Sequence, residues 1–174
     1  STFSDVDGRY VGFDGKVRTM APGHVHYHTF SGWDIYRTQV QLVAMLAPDV
    51  AADVQQTLLA NARACGGGFD KWSLGRVESN VMLGDPGAAM VANLDAFGIR
   101  GPDAADPQAV LPILRRSALD PTTTCSMDRP LRPGLANYLA KGWVVDDVSI
   151  TLEYAVADAA IAAYAKRHGD ADLA

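Results

Sequence analysis

The stretch TFSGWDIYR, residues 29–37, groups aromatic, acidic and basic side chains directly after a Ser-Gly pair. It contains Trp33, Asp34 and Arg37. An indole ring packs on the C–H face of a sugar, and a neighbouring carboxylate accepts hydrogen bonds from the sugar hydroxyls. These residue types therefore predict a site that could hold a carbohydrate.

The same residues also fit the ordinary chemistry of a helix start. Ser31 and Asp34 have the spacing of a capping box, in which both side chains satisfy backbone N–H groups. Arg37 shares a helix face with Asp34, where it could form an ion pair worth about 0.2–0.5 kcal/mol, orient Asp34 or contact a ligand. The two interpretations compete only if the Asp34 side chain points back along its own helix.

Three further candidate site residues lie in loops that precede later helices. Trp72 follows three glycines and a polar segment, so it could contact a ligand or act as a lid over helix ends. Glu78, taken alone, indicates a solvated acid. Asp85 stands before Pro86, which is the arrangement expected for a helix N-cap followed by the first helical position.

Histidine and cysteine spacing provides only weak evidence for a metal site. His24, His26 and His28 would face one side of a strand, where they could bind a transition metal or form a polar face. Cys65 and Cys125 have no Cys or His at ligand spacing. Because a lone pair is not a disulfide framework, it favours two free thiols over one disulfide. The residues alone therefore assign no metal ligand.

The hydrophobic period changes at residue 31, and this change predicts the architecture. Residues 1–30 alternate and contain β-branched and aromatic residues, which predicts an extended approach segment or a β-hairpin. Residues 31–174 show helical spacing in loosely recurring pairs without βαβ alternation. We therefore predict a mainly α fold, an array of helix hairpins or a toroid, whose loops at one end converge on a cup.

Six helices are predicted from apolar spacing, caps and stop signals. They cover residues 33–47, 49–64, 85–98, 106–119, 135–142 and 146–169. Pro112 should kink the fourth of these helices or delay its start.

Composition excludes several function classes. The 174 residues are 48% hydrophobic and 20% charged with a net charge of −5, which indicates a globular domain and argues against nucleic acid as the main partner. Apolar runs are far shorter than the roughly 18–20 residues that span a bilayer, so no membrane partner is predicted. The chain opens without Met, and we expect a mature product or a piece of a longer polypeptide.

Six blocks of the sequence, in this order, resemble glycoside hydrolase family 92. They are SDVDGRYVGFDGKV, TFSGWDIYR, KWSLGRVESNVMLGDP, AFGIRG, RPGLANYLAKGWV and SITLEYAVADAAIAAYAKRHGD. Members of this family are calcium-dependent, exo-acting α-mannosidases, typically bacterial and secreted or periplasmic. The resemblance implies that residues 31–174 are an incomplete (α/α)6 toroid, the early part of the catalytic barrel.

The resemblance also implies roles for the candidate residues. The block with Trp33, Asp34 and Arg37 would line the mannose subsite, and the loops with Trp72, Glu78 and Asp85 would line the pocket around it. The implied partners are an α-mannoside glycan and either the remainder of the parent enzyme or a second copy bound through exposed apolar helix faces.

The blocks that carry the family's chemistry are missing from this chain. Inversion needs a carboxylic acid and a carboxylate base roughly 6.5–9.5 Å apart. The family's acid lies in an E-G-x-A-W-Q block and its base in a G-N-x-D-x-G-Q-M block, with a G-N-E-P block between them. These blocks also supply most of the ligands of the calcium ion. The resemblance therefore implies a fragment of an α-mannosidase that is inactive alone. The alternative is a non-catalytic helical module that binds carbohydrate or a partner.

Overall fold

The computed structural model of the chain describes residues 1–125 and 128–174, and it shows the predicted mainly helical fold. The helices are α1 Gly32–Ile35, α2 Gln39–Leu46, α3 Pro48–Ala64, α4 Pro86–Ala96, α5 Pro107–Leu119, α6 Leu135–Lys141 and α7 Val148–Arg167. Two antiparallel hairpins accompany them, β1 Arg9–Val11 with β2 Val17–Thr19, and β3 Ser73–Leu74 with β4 Val77–Glu78.

The extended approach segment contains the predicted hairpin, but its histidines do not form a row on a strand. His24 Nδ1 lies 2.6 Å from the Asp53 carboxylate of α3. His26 is buried and its ring stacks on Tyr10, with 3.8 Å between the ring centroids. His28 is also buried. His24 therefore ties the segment to α3, whereas the rings of His26 and His28 pack on Tyr10 and Phe3 within the segment.

The first predicted helix is divided into two in the structure. α1 ends at Ile35 and α2 begins at Gln39. Gln41 Nε2 donates to the Tyr36 carbonyl at 2.9 Å, so a side chain satisfies a carbonyl at the break. The side chains of Tyr36 and Arg37 both reach α7, and this tertiary contact overrides the helical period of the sequence.

Helix α4 lies at the centre of the hydrophobic core. Its sequence PGAAMVANLDA is apolar on nearly all sides, residues 86–92 are buried, and it contacts α1, α2, α3 and α7. Asp85 caps it by accepting the Ala88 N–H at 3.3 Å, as predicted. A helix that is apolar all round belongs inside a fold rather than on its surface.

Helix α5 starts where the Asp-Pro signal predicts, in spite of its internal proline. The Asp106 carboxylate accepts the Gln108 N–H at 2.9 Å, and Pro107 is the first helical residue. Pro112 lies inside the helix, so the expectation of a delayed start is wrong. Buried Val110 and Leu114 anchor the helix on either side of the proline.

Helix α7 is long and apolar enough, by length and composition alone, to cross a membrane. In this fold it packs against α4 and α5. Two acids in its middle, Glu153 and Asp158, pair with Arg37 and Arg132. These ion pairs favour a helix that packs against protein.

A buried ionic network joins α4, α5 and α7 around one carboxylate. Asp85 accepts a short hydrogen bond from the Ser117 hydroxyl and a second from Arg132 Nε at 3.0 Å. Arg132 Nη1 donates to Asp158 at 2.7 Å, and its guanidinium lies over the Tyr154 ring at 5.0 Å. The Asp85 and Arg132 side chains are each only 3% exposed, so neither charge has access to bulk water.

The cysteines are joined, so the expectation of two free thiols is wrong. The Cys65–Cys125 disulfide connects the end of α3 to the loop before α6. Spacing could not reveal this pairing, because the two residues are 60 positions apart and meet only when α3 and α5 pack together.

Replacing Arg132 with Leu should lower the free energy of unfolding by about 3–5 kcal/mol, because the Asp85 charge would remain buried without its partner. Urea unfolding followed by circular dichroism measures this loss. The matched control is Arg115→Leu, which breaks the Arg115–Asp170 pair, whose side chains are 42% and 20% exposed. It should cost no more than about 1 kcal/mol. Equal losses in both variants would contradict the prediction.

The buried imidazole of His26 should make the fold sensitive to acid. Burial lowers the pKa of His26 from 6.5 to about 4. The unfolded chain therefore binds this proton first, and stability is full above pH 6.5 and falls as the pH drops towards 4, by on the order of 2–3 kcal/mol. His26→Phe keeps a ring against Tyr10 and removes the titration. Urea unfolding at neutral pH and near pH 4 should show a smaller loss in this variant; an equal loss would refute the assignment.

Candidate functional site

The start of α1 and the Trp72 loop lie side by side. The Gly32 N–H donates to the Lys71 carbonyl at 2.9 Å, and Ser31 forms an isolated antiparallel bridge with Trp72. A Cβ on Gly32 would lie 2.6 Å from the Lys71 carbonyl oxygen and from Pro86. The glycine of the SGWD sequence thus permits the approach that brings the two predicted blocks together.

Glu78 is not a solvated acid, because its side chain is fully buried. Its carboxylate accepts the backbone N–H groups of Lys71 at 2.6 Å, Trp72 at 3.2 Å and Asn80 at 2.6 Å. Burial, together with the nearby charge of Asp70, raises the pKa of the Glu78 carboxyl. Glu78 therefore shapes the loop from inside, and its predicted contact with a ligand stays a prediction.

Asp85 is engaged in the same way, as the cap of α4 and the partner of Arg132. In the loop before Trp72, burial raises the pKa of the Asp70 carboxyl and lowers that of the Lys71 ammonium. Burial therefore disfavours the charged form of both side chains, which directly precede Trp72 in the loop. A direct contact of Asp85 with a ligand likewise stays a prediction.

The Asp34 side chain does point back along its own helix, towards Ser31. The Ser31 hydroxyl donates a short hydrogen bond to the Asp34 carboxylate, and it makes no capping bond to the helix backbone. The expected capping box is thus replaced by a direct bond between the two side chains. Because Asp34 is also exposed, its carboxylate can accept further hydrogen bonds from a ligand.

Arg37 pairs with a residue that the sequence interpretation missed. Its Nη2 donates to Glu153 Oε1 at 2.7 Å, and within the described ranges no ion pair joins it to Asp34. The guanidinium carbon lies 4.3 Å from the ring centroid of Trp33 and 4.8 Å from that of Tyr36. Arg37 is therefore held over two rings at the end of α1, and its Nε also donates to the Trp33 carbonyl at 3.2 Å.

Glu153 accepts hydrogen bonds from all three of these neighbours on α1 and its C-terminal end. Trp33 Nε1 donates to Oε1 at 3.1 Å, and the Tyr36 hydroxyl donates to Oε2 at 2.9 Å. Burial, reinforced by the bond to Glu153, raises the pKa of Tyr36 to about 12. The signal in the sequence was one of two acids in the largely apolar run ITLEYAVADAA, but the partners of Glu153 lie more than a hundred residues away.

The arrangement at the start of α1 is suited to binding a polar ligand. The carboxylates of Glu78, Asp85 and Glu153 are already used by the protein itself. Asp34, among these four, is the acid that remains exposed. It lies beside an indole and a guanidinium, which can supply a stacking surface and hydrogen-bond donors.

Comparison with known proteins identifies the family of the chain. The model of the Glycosyl hydrolase family 92 catalytic domain matches residues 1–174. The chain is similar to two structures of the family GH92 α-mannosidase BT3965 from Bacteroides thetaiotaomicron, one of them in complex with mannoimidazole. Both are 27% identical to it, with TM-scores of 0.82 and 0.83.

The alignments cover 99% of this chain and 22% of each BT3965 chain. No curated protein matches the chain. The match of the family model to residues 1–174 agrees with the six sequence blocks that resemble family 92. The chain therefore belongs to glycosyl hydrolase family 92.

Proposed function

We propose that this chain is the early part of an (α/α)6 toroidal catalytic domain in an inverting, exo-acting α-mannosidase, and that it supplies part of the mannose pocket. The observation that carries the proposal is the family match over residues 1–174, combined with an exposed acid beside an indole at the start of α1. Similarity to an α-mannosidase that holds mannoimidazole supports an α-mannoside of a glycan as the ligand.

In this proposal the sugar ring packs on the Trp33 indole while Asp34 accepts hydrogen bonds from its hydroxyls. Arg37 lines the pocket from the opposite face of the indole, and the Trp72 loop, shaped by Glu78, borders the pocket. The acid and base of an inverting reaction come from elsewhere in the enzyme, since the carboxylates of Glu78, Asp85 and Glu153 are engaged within this chain. The chain thus binds without cleaving.

Calcium belongs to the proposal for the whole enzyme, where it would help to hold the mannose hydroxyls. Across residues 1–125 and 128–174, no three His, Cys, Asp or Glu side chains are arranged to hold a metal ion. The side chains described for this chain therefore do not form a calcium site by themselves.

The exposed apolar side chains on two helices support a protein partner as well. On α2 they are Leu42, Met45 and Leu46, and on α7 they are Val148, Leu152 and Val156. We propose that the remainder of the parent enzyme, or a second copy of this chain, covers them. The same faces favour the second candidate function, a non-catalytic helical module that binds carbohydrate or a partner.

We also propose a bacterial origin and a secreted or periplasmic location. The Cys65–Cys125 disulfide supports the location, because disulfides persist in oxidising compartments and are rare in the cytosol.

The purified chain should release no aryl alcohol from an aryl α-mannoside, with or without calcium, because it lacks a placed acid and base. Tryptophan fluorescence should show weak binding of methyl α-mannoside, with Kd of about 1 mM or above. The response should be lost in Trp33→Phe and kept in Trp143→Phe, which alters an exposed tryptophan beyond α6. Turnover would refute the proposal. Micromolar binding without turnover would instead favour the non-catalytic module.

Removing the disulfide with Cys65→Ala and Cys125→Ala together should lower the free energy of unfolding by about 2–5 kcal/mol, because the bond closes a long loop in the unfolded chain. Urea unfolding measures the loss, and reduction of the wild-type chain should reproduce it. Thiol labelling of chain recovered from the periplasm should find no free thiol. Labelling of both cysteines in folded protein would contradict the pairing.

A further inference from the structure

We propose that Glu153 is a positioning residue of the sugar site, which holds Arg37 against one face of the Trp33 indole and leaves the other face to the ligand. The inference rests on the proposed function, in which a sugar packs on Trp33. It assigns a role to α7, a helix that contributes none of the residues predicted from the sequence to form the site.

Three contacts show how one carboxylate sets the orientation of α1. The Glu153 carboxylate accepts hydrogen bonds from Trp33 Nε1 at 3.1 Å, from Arg37 Nη2 at 2.7 Å and from the Tyr36 hydroxyl at 2.9 Å. The indole N–H bond fixes the rotation of the ring about its side-chain bonds. The bond to Arg37 is charge-assisted on both sides, and such bonds are shorter and stronger than neutral ones.

The carboxylate can act as a fixed point because its own position is constrained. The Glu153 side chain is only 16% exposed, whereas that of Arg37 is 43% exposed. Glu153 lies within the long helix α7, and its Cβ is closely approached by Gly84, where an added Cβ would be 2.8 Å away. Gly84 has φ of +79° and immediately precedes Asp85, so the buried network and Glu153 meet at this turn.

Arg37 makes the two faces of the indole unequal. Its guanidinium carbon lies 4.3 Å from the Trp33 ring centroid, which is the distance of a cation–π contact. Within the described residues no second aromatic ring or cation stacks on Trp33. In the proposed site the opposite face takes the C–H surface of a sugar, since Trp33 is only partly buried.

The same geometry restricts what the ligand can use. The indole N–H is already bound to Glu153, so Trp33 offers its ring and no donor. The group that accepts hydrogen bonds from the ligand is the carboxylate of Asp34, which follows Trp33 in the chain and is exposed. Loss of Glu153 would free Arg37 and the indole to rotate, and a single preferred docking face would be lost.

The test compares Glu153→Ala with Asp170→Ala, first without sugar. The Arg115–Asp170 pair is a matched control, because its side chains are 42% and 20% exposed and it lies at the other end of α7. Nuclear magnetic resonance resolves each indole N–H, and Trp33→Phe assigns the Trp33 signal. Exchange of this proton with water should accelerate on the order of tenfold in Glu153→Ala and stay unchanged in Asp170→Ala. An unchanged exchange rate in Glu153→Ala would overturn the proposal.

The second readout adds methyl α-mannoside and follows the Trp33 signal. Affinity should fall about tenfold in Glu153→Ala, which corresponds to one lost positioning contact, and remain at the wild-type value in Asp170→Ala. Faster exchange with unchanged affinity would make Glu153 a structural anchor only and would refute the positioning role. If the wild-type chain shows no sugar-dependent shift, the proposed function fails, while the exchange rates still decide whether Glu153 orients Trp33.

Arg37→Lys provides a second variant should Glu153→Ala fail to fold. It keeps the positive charge for Glu153 but removes the planar guanidinium from the indole face. A soluble paramagnetic agent should then broaden the Trp33 ring protons more strongly than in the wild type, and leave those of Trp143 unchanged. Equal broadening in both proteins would show that Arg37 does not cover the ring.

Discussion

The buried carboxylate of Asp85 is the point on which the rest of the structure depends. It caps α4, accepts a hydrogen bond from Ser117 of α5 and neutralises Arg132, which reaches Asp158 of α7. A buried ion is tolerated only when its hydrogen bonds are satisfied, so these three helices must meet at one place. The turn that carries Asp85 also sets the position of Gly84 against Glu153. The core network and the candidate site therefore share one anchor.

Burial separates the acids of the site into two groups with different roles. Glu78 is buried and the Glu153 side chain is only 16% exposed, and both use their oxygens to organise the protein, the first for a loop and the second for α1. Asp34 is exposed and keeps acceptor capacity for a ligand. Of the three, Asp34 is thus the carboxylate that solvent reaches most easily.

Local signals predicted some elements well and failed where distant residues intervene. Asp-Pro pairs located the starts of α4 and α5, because an N-cap and a first-turn proline act within one turn of helix. The division between α1 and α2 was not predictable, because Tyr36 and Arg37 leave the helical period to reach Glu153. The spacing of apolar residues predicts which face of a helix is buried. It does not predict which acidic side chain of another helix that face will contact.

The sequence by itself determined the class of fold, the family and the N-caps of α4 and α5, because these follow from short-range spacing and from ordered motifs. Only the tertiary structure decided that Cys65 pairs with Cys125, that Glu78 is buried, and that Glu153 rather than Asp34 binds Arg37. Each of these outcomes depends on whether a charged group or thiol is buried, and on its spatial distance from a partner that is far away in the sequence. Spacing along the sequence does not measure that distance, since it is set only when the helices pack.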